Sequence, residues 1–381
     1  MSPRTRSRSR PGFTLVEMLV SMAVLALLMV IIMEMINRTQ QTVTRQQARA
    51  EEFKEARAAM EAISRSLSGA VINSYWAYGD YSVGGKVNYT RQSDGHFVAG
   101  PATILRAAEQ NSPGHAMFFQ SSDGQTKLGT STTGLGDPYN LITCMGYYVD
   151  YQDEDKLDIR PEFLAKDKVL NPERSRFRLM ELRLPPEKNI LYSTSLDING
   201  AGSTRDNAYK WFRGPFTDET NTLKNSTVLA ENILALILVP RYVAVTTTGS
   251  TGESGTGSNK ENTLTNTKPA ADYYYDSRES QWGAATEKSR NTAHQLPPVV
   301  QVTLVAAEER SYAELEIRMG EKPLADAVNA AFANKFTTQS QYAADLEAVE
   351  EALNVLKLKH RVFTTNVAIR GSKWVVEERN L

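Results

Sequence analysis

Residues Phe13 to Met33 read FTLVEMLVSMAVLALLMVIIM, and 18 of these 21 are apolar. As a helix the run rises about 31 Å, the depth of the hydrocarbon layer of a bilayer. Arg4, Arg6, Arg8 and Arg10 precede it, and no acid occurs before Glu17. Cations hold their end of a span in the cytoplasm, so the rest of the chain is expected on the far side of the membrane. A secretory signal peptide has a shorter apolar core with a small-residue cleavage site behind it. Here the run is too long for that, and Arg38 and Arg45 follow it without an A-x-A pattern.

Glu17 sets this run apart from a plain signal anchor. A carboxylate inside the bilayer costs several kcal/mol unless it is paired, so it reads as functional, the alternative being that it snorkels to the headgroups. The string around it is Arg10-Pro11-Gly12-Phe13-Thr14-Leu15-Val16-Glu17. It resembles the type III signal of the type IV pilin superfamily: a basic leader, Gly at the cut, an aromatic first residue and Glu at the fifth mature position. The resemblance implies cleavage by prepilin peptidase between Gly12 and Phe13 and N-methylation of Phe13. It also implies a filament-assembly role for Glu17, pairing with the N-terminal amine of the next subunit. Pro11 departs from the basic or polar residue more usual there.

No Pro or Gly occurs from Phe13 through Ser68, so one continuous helix of more than fifty residues is expected. Phe53, Ala56, Met60, Ile63, Leu67 and Val71 recur at three- and four-residue spacing, the face that would pack on a globular domain. Strands are predicted at His115–Gln120, Ile142–Tyr151, Arg176–Leu184, Asn232–Val239, Val299–Ala306 and Arg361–Arg370. The expected fold is α+β and pilin-like: a long N-terminal helix, transmembrane in its first half, packed on an antiparallel sheet. The corresponding divisions are a leader at 1–12, a transmembrane helix at 13–33, its amphipathic continuation at 34–72 and a globular domain at 73–381.

Thr246 to Pro269 is rich in Thr, Gly, Ser and Asn and reads as a mobile surface loop. Between the last two predicted strands lies a helical insertion at 308–359, with helices at Glu308–Met319, Pro323–Lys335 and Gln339–Lys359. Fifty residues far exceed an ordinary loop. The insertion is either packing decoration or a partner-docking surface. Leu229–Leu236, Leu296–Leu304 and Arg361–Ile369 look like the order of blocks in J-type minor pseudopilins of type II secretion. Gly146-Tyr-Tyr-Val-Asp150 and Phe177–Arg183 are similar to the Verru_Chthon cassette protein C family, also pilin-like.

Catalytic and metal-binding patterns are not found. His96, His115, His294 and His360 lack H-E-x-x-H or other ligand spacing and read as lone surface or core residues. Gly84-Gly85-Lys86 is followed by Val87 where a phosphate loop needs Ser or Thr. The acidic run Asp150, Asp153, Glu154, Asp155 and Asp158 is either a calcium loop without a turn glycine or a charged turn. Asp272-Tyr-Tyr-Tyr-Asp276 is either an adhesive aromatic patch or an edge strand. The single cysteine, Cys144, reads as a small buried hydrophobe. No enzyme activity, cofactor or metal is expected. Removing residues 1–12 takes the net charge from -1 to -5, so no nucleic acid is expected as partner.

The resemblance therefore implies a minor pseudopilin assembled into a type II secretion-like pseudopilus. Its partners would be prepilin peptidase, other pseudopilins or minor pilins, an inner-membrane assembly platform and membrane lipid. It would be single-pass in the inner membrane with a periplasmic domain. Rival readings are a minor pilin of a type IV pilus, used in adhesion or DNA uptake, and a membrane-tethered binding protein that borrows the signal.

Overall fold

Two helices, not one, occupy the stretch expected to be a single rod. In the computed structural model, α1 (Leu15–Glu51) ends before a turn at Phe53, and α2 (Lys54–Ser68) starts anew. Glu55 lies in the first turn of α2, where a carboxylate meets the positive end of the helix dipole. The chain correspondingly divides into two compact units, Met1–Phe53 and Lys54–Leu381. The structure describes residues 15–51, 53–83, 86–106, 113–125, 139–154, 174–186, 189–192, 204–217, 225–248, 261–282 and 286–373.

The second unit is antiparallel throughout its paired strands. It contains β1 (Ala70–Val71), β2 (Ser74–Val83), β3 (Lys86–Ser93), β4 (Val98–Pro101), α3 (Ala102–Leu105), β5 (His115–Gln125), β6 (Tyr139–Asp153) and β7 (Ser175–Leu184). There follow α4 (Arg205–Thr217), β8 (Ser226–Glu231), β9 (Ile233–Thr248), β10 (Glu261–Pro269), β11 (Tyr275–Asp276), α5 (Glu279–Trp282) and α6 (Glu287–Thr292). The chain continues through β12 (Val299–Ala307), α7 (Glu309–Met319), α8 (Glu321–Phe332), α9 (Tyr342–Val355) and β13 (His360–Ala368). Among the described residues a seven-stranded sheet has the order β11-β4-β5-β6-β7-β8, with β1 beside β5. A four-stranded sheet runs β10-β9-β12-β13, and β2 and β3 form a separate hairpin. The α+β architecture is the expected one, and each of the six predicted strands coincides with one of these.

Side chains alternate across the large sheet. Ala116 and Phe118 of β5, Cys144 and Tyr148 of β6, and Met180, Leu182 and Leu184 of β7 share a buried cluster with Tyr209, Trp211 and Phe212 of α4. The Phe118 and Phe212 rings stack at 4.3 Å. On the second sheet, β9 packs against β5, β6 and β7, and α2 packs across β8, β12 and β13. Ala56, Ala59, Met60, Ile63 and Leu67 supply the buried face of α2, close to the face read from spacing. Burying each of the large side chains is worth about 1.5–3 kcal/mol.

The expected surface loop at Thr246–Pro269 is corrected in part. β9 runs on to Thr248, and β10 pairs back along it from Glu261↔Thr248 to Pro269↔Arg241. Residues 249–260 lie outside the described residues. The threonines that made the segment look low in complexity are β-branched and fit a paired strand. A second difference lies at Asn232, expected inside a strand. It has φ 55°, a left-handed conformation that Asn tolerates, and it separates β8 from β9.

The helical insertion is present as α7, α8 and α9, between β12 and β13, and is tied to the body at several points. Arg176 of β7 donates to Glu309 and to Asn232, and Asn232 donates to Glu309. The Tyr342 and Thr303 hydroxyls are 2.9 Å apart, and Gln339 N–H donates to the Ala271 carbonyl at 2.8 Å. Leu324, Val328, Phe332, Val349 and Leu353 are buried beneath it.

Candidate functional site

The first unit contains a span from Leu15 to Gln40, 26 residues with mean hydropathy 2.8 and no buried share. Its length and composition suit a membrane crossing. Glu17 lies in the first turn of α1 and is exposed. It shares a helix face with Ser21, one turn on, and the Ser21 hydroxyl donates to the Met18 carbonyl at 2.9 Å. Glu17 and Ser21 are the two polar residues of the span before Glu34. Where the helix turns polar, Arg38 pairs with Glu34 at 2.5 Å, and Thr39 donates to the Met35 carbonyl. Gly12 and Phe13, the residues of the expected cut and methylation, lie outside the described residues, as do Arg4, Arg6, Arg8 and Arg10.

The second unit holds a buried polar cluster that sequence reasoning missed. The His96 Nε2 lies 2.8 Å from Asp276 Oδ1, and both side chains have no exposed surface. The Trp211 indole N–H donates to His96 Nδ1 at 3.1 Å. An indole can only donate, so Nδ1 accepts and Nε2 carries the hydrogen toward Asp276. Tyr209 and Tyr274 donate to the other carboxylate oxygen at 2.7 and 3.0 Å, and the Arg278 backbone N–H donates to Oδ1 at 2.8 Å. Burial opposes the Asp276 charge, but the electrostatic effect and hydrogen bond of His96, with the hydrogen bonds of Arg278 N–H and Tyr209, hold its carboxyl below the usual range. The Arg278 guanidinium, fully buried, donates to the Ser93 and Gly95 carbonyls. The cluster thus joins β11 to the segment between β3 and β4 and to α4, and every one of its side chains is inside the protein.

The tyrosine run is corrected as an adhesive patch. Tyr273, Tyr274 and Tyr275 are all buried, with Tyr275 opening the edge strand β11. Burial is completed from several sides: Tyr275 donates to the Gln295 carbonyl and Tyr273 lies against His115 and Phe336. The acidic run is not a solvated turn at its start. Asp150 is buried, 3.1 Å from Arg106, while Ser175 donates to Asp153 and Glu154 lies 3.7 Å from Arg178. Asp155 and Asp158 lie outside the described residues. Among the described residues no group of three or more His, Cys, Asp or Glu is arranged to hold a metal ion.

Two further histidines are core residues. Leu238 N–H donates to His115 Nδ1 at 2.9 Å, and Nε2 faces the Phe336 carbonyl at 3.4 Å. His294 Nδ1 pairs with the Ser93 hydroxyl at 2.9 Å. Burial pulls His115 down to about 4, and burial together with the Arg278 and Arg91 charges pulls His294 down to about 3. Cys144 is buried and its thiol is pushed up to about 12 by that burial, so it is a core residue and not a nucleophile.

No curated protein matches the chain, and no solved structure matches it. Residues 7–33 match the family described as the prokaryotic N-terminal methylation motif. That motif implies processing by prepilin peptidase and pilus-type assembly with other pilins. The chain therefore carries a type IV pilin-like prepilin signal at residues 7–33, which runs into a helix, Leu15–Gln40, fit for a single-pass membrane anchor.

Proposed function

We propose that the chain is a minor pseudopilin-like subunit of a type II secretion-like pseudopilus and is not an enzyme. The observation that carries this reading is the coincidence of the methylation motif at residues 7–33 with a carboxylate, Glu17, on an exposed apolar helix. Prepilin peptidase cuts between Gly12 and Phe13, and the new amine of Phe13 is methylated. Phe13–Met33 anchors the protein in the inner membrane, with its N-terminus cytoplasmic and unit Lys54–Leu381 in the periplasm. Glu17 then pairs with the Phe13 amine of the next subunit, because in hydrocarbon each charge is costly without the other. The four arginines of the leader support the orientation. The alternative of an adhesive minor pilin loses its one specific feature, since the tyrosine run is buried.

Intact mass and N-terminal sequence of the membrane protein, with and without prepilin peptidase, test the first step. A chain that begins at methylated Phe13 only with the peptidase supports the reading. A chain that retains residues 1–12 in both cases ends it. Deleting the gene then separates the two filament classes: loss of protein export with surface pili intact is expected, and the converse would point to a type IV pilus.

A further inference from the structure

The end of the second unit carries two neighbouring elements of opposite charge. From Lys357 to Lys373 the sequence has five cations, Lys357, Lys359, Arg361, Arg370 and Lys373, and no acid. All five are exposed. This segment contains β13, whose outer edge has no strand beside it among the described residues. Ile369 N–H donates to the Pro298 carbonyl, so by antiparallel alternation the main-chain groups of Val362, Thr364, Asn366 and Ala368 face away from β12. Such an edge is a template on which another chain can dock.

The helix just before it, α9, has the reverse composition: Asp345, Glu347, Glu350 and Glu351, with no cation. Asp345 is used internally, accepting from Phe336 N–H at 2.8 Å. Glu347 and Glu351 are exposed one turn apart, and no ion pair joins them to β13 among the described residues. At the end of this face Val355 is 76% exposed and Ile317 is 88% exposed. The Arg318 side chain donates to the Leu356 carbonyl, which sets the ends of α7 and α9 side by side. Two exposed β-branched residues therefore stand at neighbouring helix ends beside the acidic face. On the strand, Phe363 is half-buried with the Arg57 and Arg361 guanidinium groups over its ring at 6.0 and 5.4 Å.

We propose that the acidic outer face of α9 in one copy covers the basic open edge of β13 in a second copy. The fit is chemical. Glu347 and Glu351, one turn apart, accept from Arg361 and from the outward N–H groups of Thr364 and Asn366, while Val355 and Ile317 meet the apolar parts of the strand. The two surfaces differ, so the contact is head-to-tail and leaves one of each unused at the ends of a row. It stands on the second unit alone and does not depend on the signal at the N-terminus.

The test places a photo-reactive benzophenone side chain at Asn366 in the full-length chain in its membrane. Illumination is expected to give an adduct of twice the chain mass, with the cross-link mapping to α9. Arg361→Glu in the probe-bearing copy should lower the adduct at least tenfold. Mixing that copy with one carrying Glu347→Lys and Glu351→Lys should restore it, which a misfolded variant would not do. Adducts only with another protein or with lipid, no adduct at all, or an adduct unmoved by charge reversal would each overturn the proposal.

Discussion

Trp211 donates its indole N–H to Nδ1 of His96 across a sequence separation of 115 residues, and this one bond fixes which ring nitrogen serves Asp276. Trp211→Phe keeps an aromatic ring beside Phe118 and Phe212 but leaves Nδ1 without its donor. A buried group left unsatisfied costs about 1–3 kcal/mol. Thermal unfolding of the variant is expected several degrees lower, with membrane insertion unchanged. An unchanged midpoint would show that the indole bond contributes nothing.

Gly146 lies under Phe118. A Cβ there would stand 2.3 Å from Phe118 Cδ1, and that ring is already stacked on Phe212 at 4.3 Å. Gly146→Ala is expected to destabilise the second unit by about 1–3 kcal/mol, the usual cost of overpacking. Gly146→Ala with Phe118→Leu should recover part of the loss. Chemical denaturation of the three variants reads the coupling directly.

Acid should loosen the second unit from about pH 6.5 downward. His115 and His294 are held neutral in the fold, at about 4 and about 3, and take up protons near 6.5 when the chain unfolds. The unfolded state then binds more protons, so stability rises with pH through this window. Between pH 6.5 and 4 the unfolding free energy is expected to fall by about 3 kcal/mol for each ring at most. His115→Gln should flatten part of this slope. A pH-stability curve identical to that of the parent would refute the assignment to His115.

Arg176 is buried where β7 meets the insertion, with Glu309 and Asn232 as partners and Glu316 at 3.7 Å. Arg176→Ala leaves these groups without their cation. Glu309 is half-exposed and is rehydrated once Arg176 is gone, so the loss is about 1–3 kcal/mol, that of leaving a buried polar partner unsatisfied. Limited proteolysis is expected to cut first between β12 and β13 in this variant. First cuts elsewhere would mean that the insertion is held by its apolar face instead.

Glu17→Ala should leave cleavage intact, because the cut lies five residues before it, and should impair assembly. Cross-linked filament fractions are expected to contain at least tenfold less of the variant, while Glu17→Asp retains part. Normal incorporation of Glu17→Ala would remove the assigned role.

The signal at residues 7–33 and the apolar span were legible in the sequence because both are local. A hydrophobic run of sufficient length announces itself without reference to the rest of the chain. β5, β6, β7, β9, β12, β13 and the helices of the insertion were legible for the same reason, since period 2 and period 3.6 are properties of short windows. α4 was not read, because Gly214 and Pro215 inside it argue against a helix; its Tyr209, Trp211 and Phe212 are held by the sheet they cover. Only the tertiary structure decided that Tyr273–Tyr275 are buried, that β10 pairs with β9, and that His96 meets Asp276, 180 residues away. Those outcomes depend on which surfaces come together, and that information lies in the sum of contacts between distant segments and in no single window of sequence.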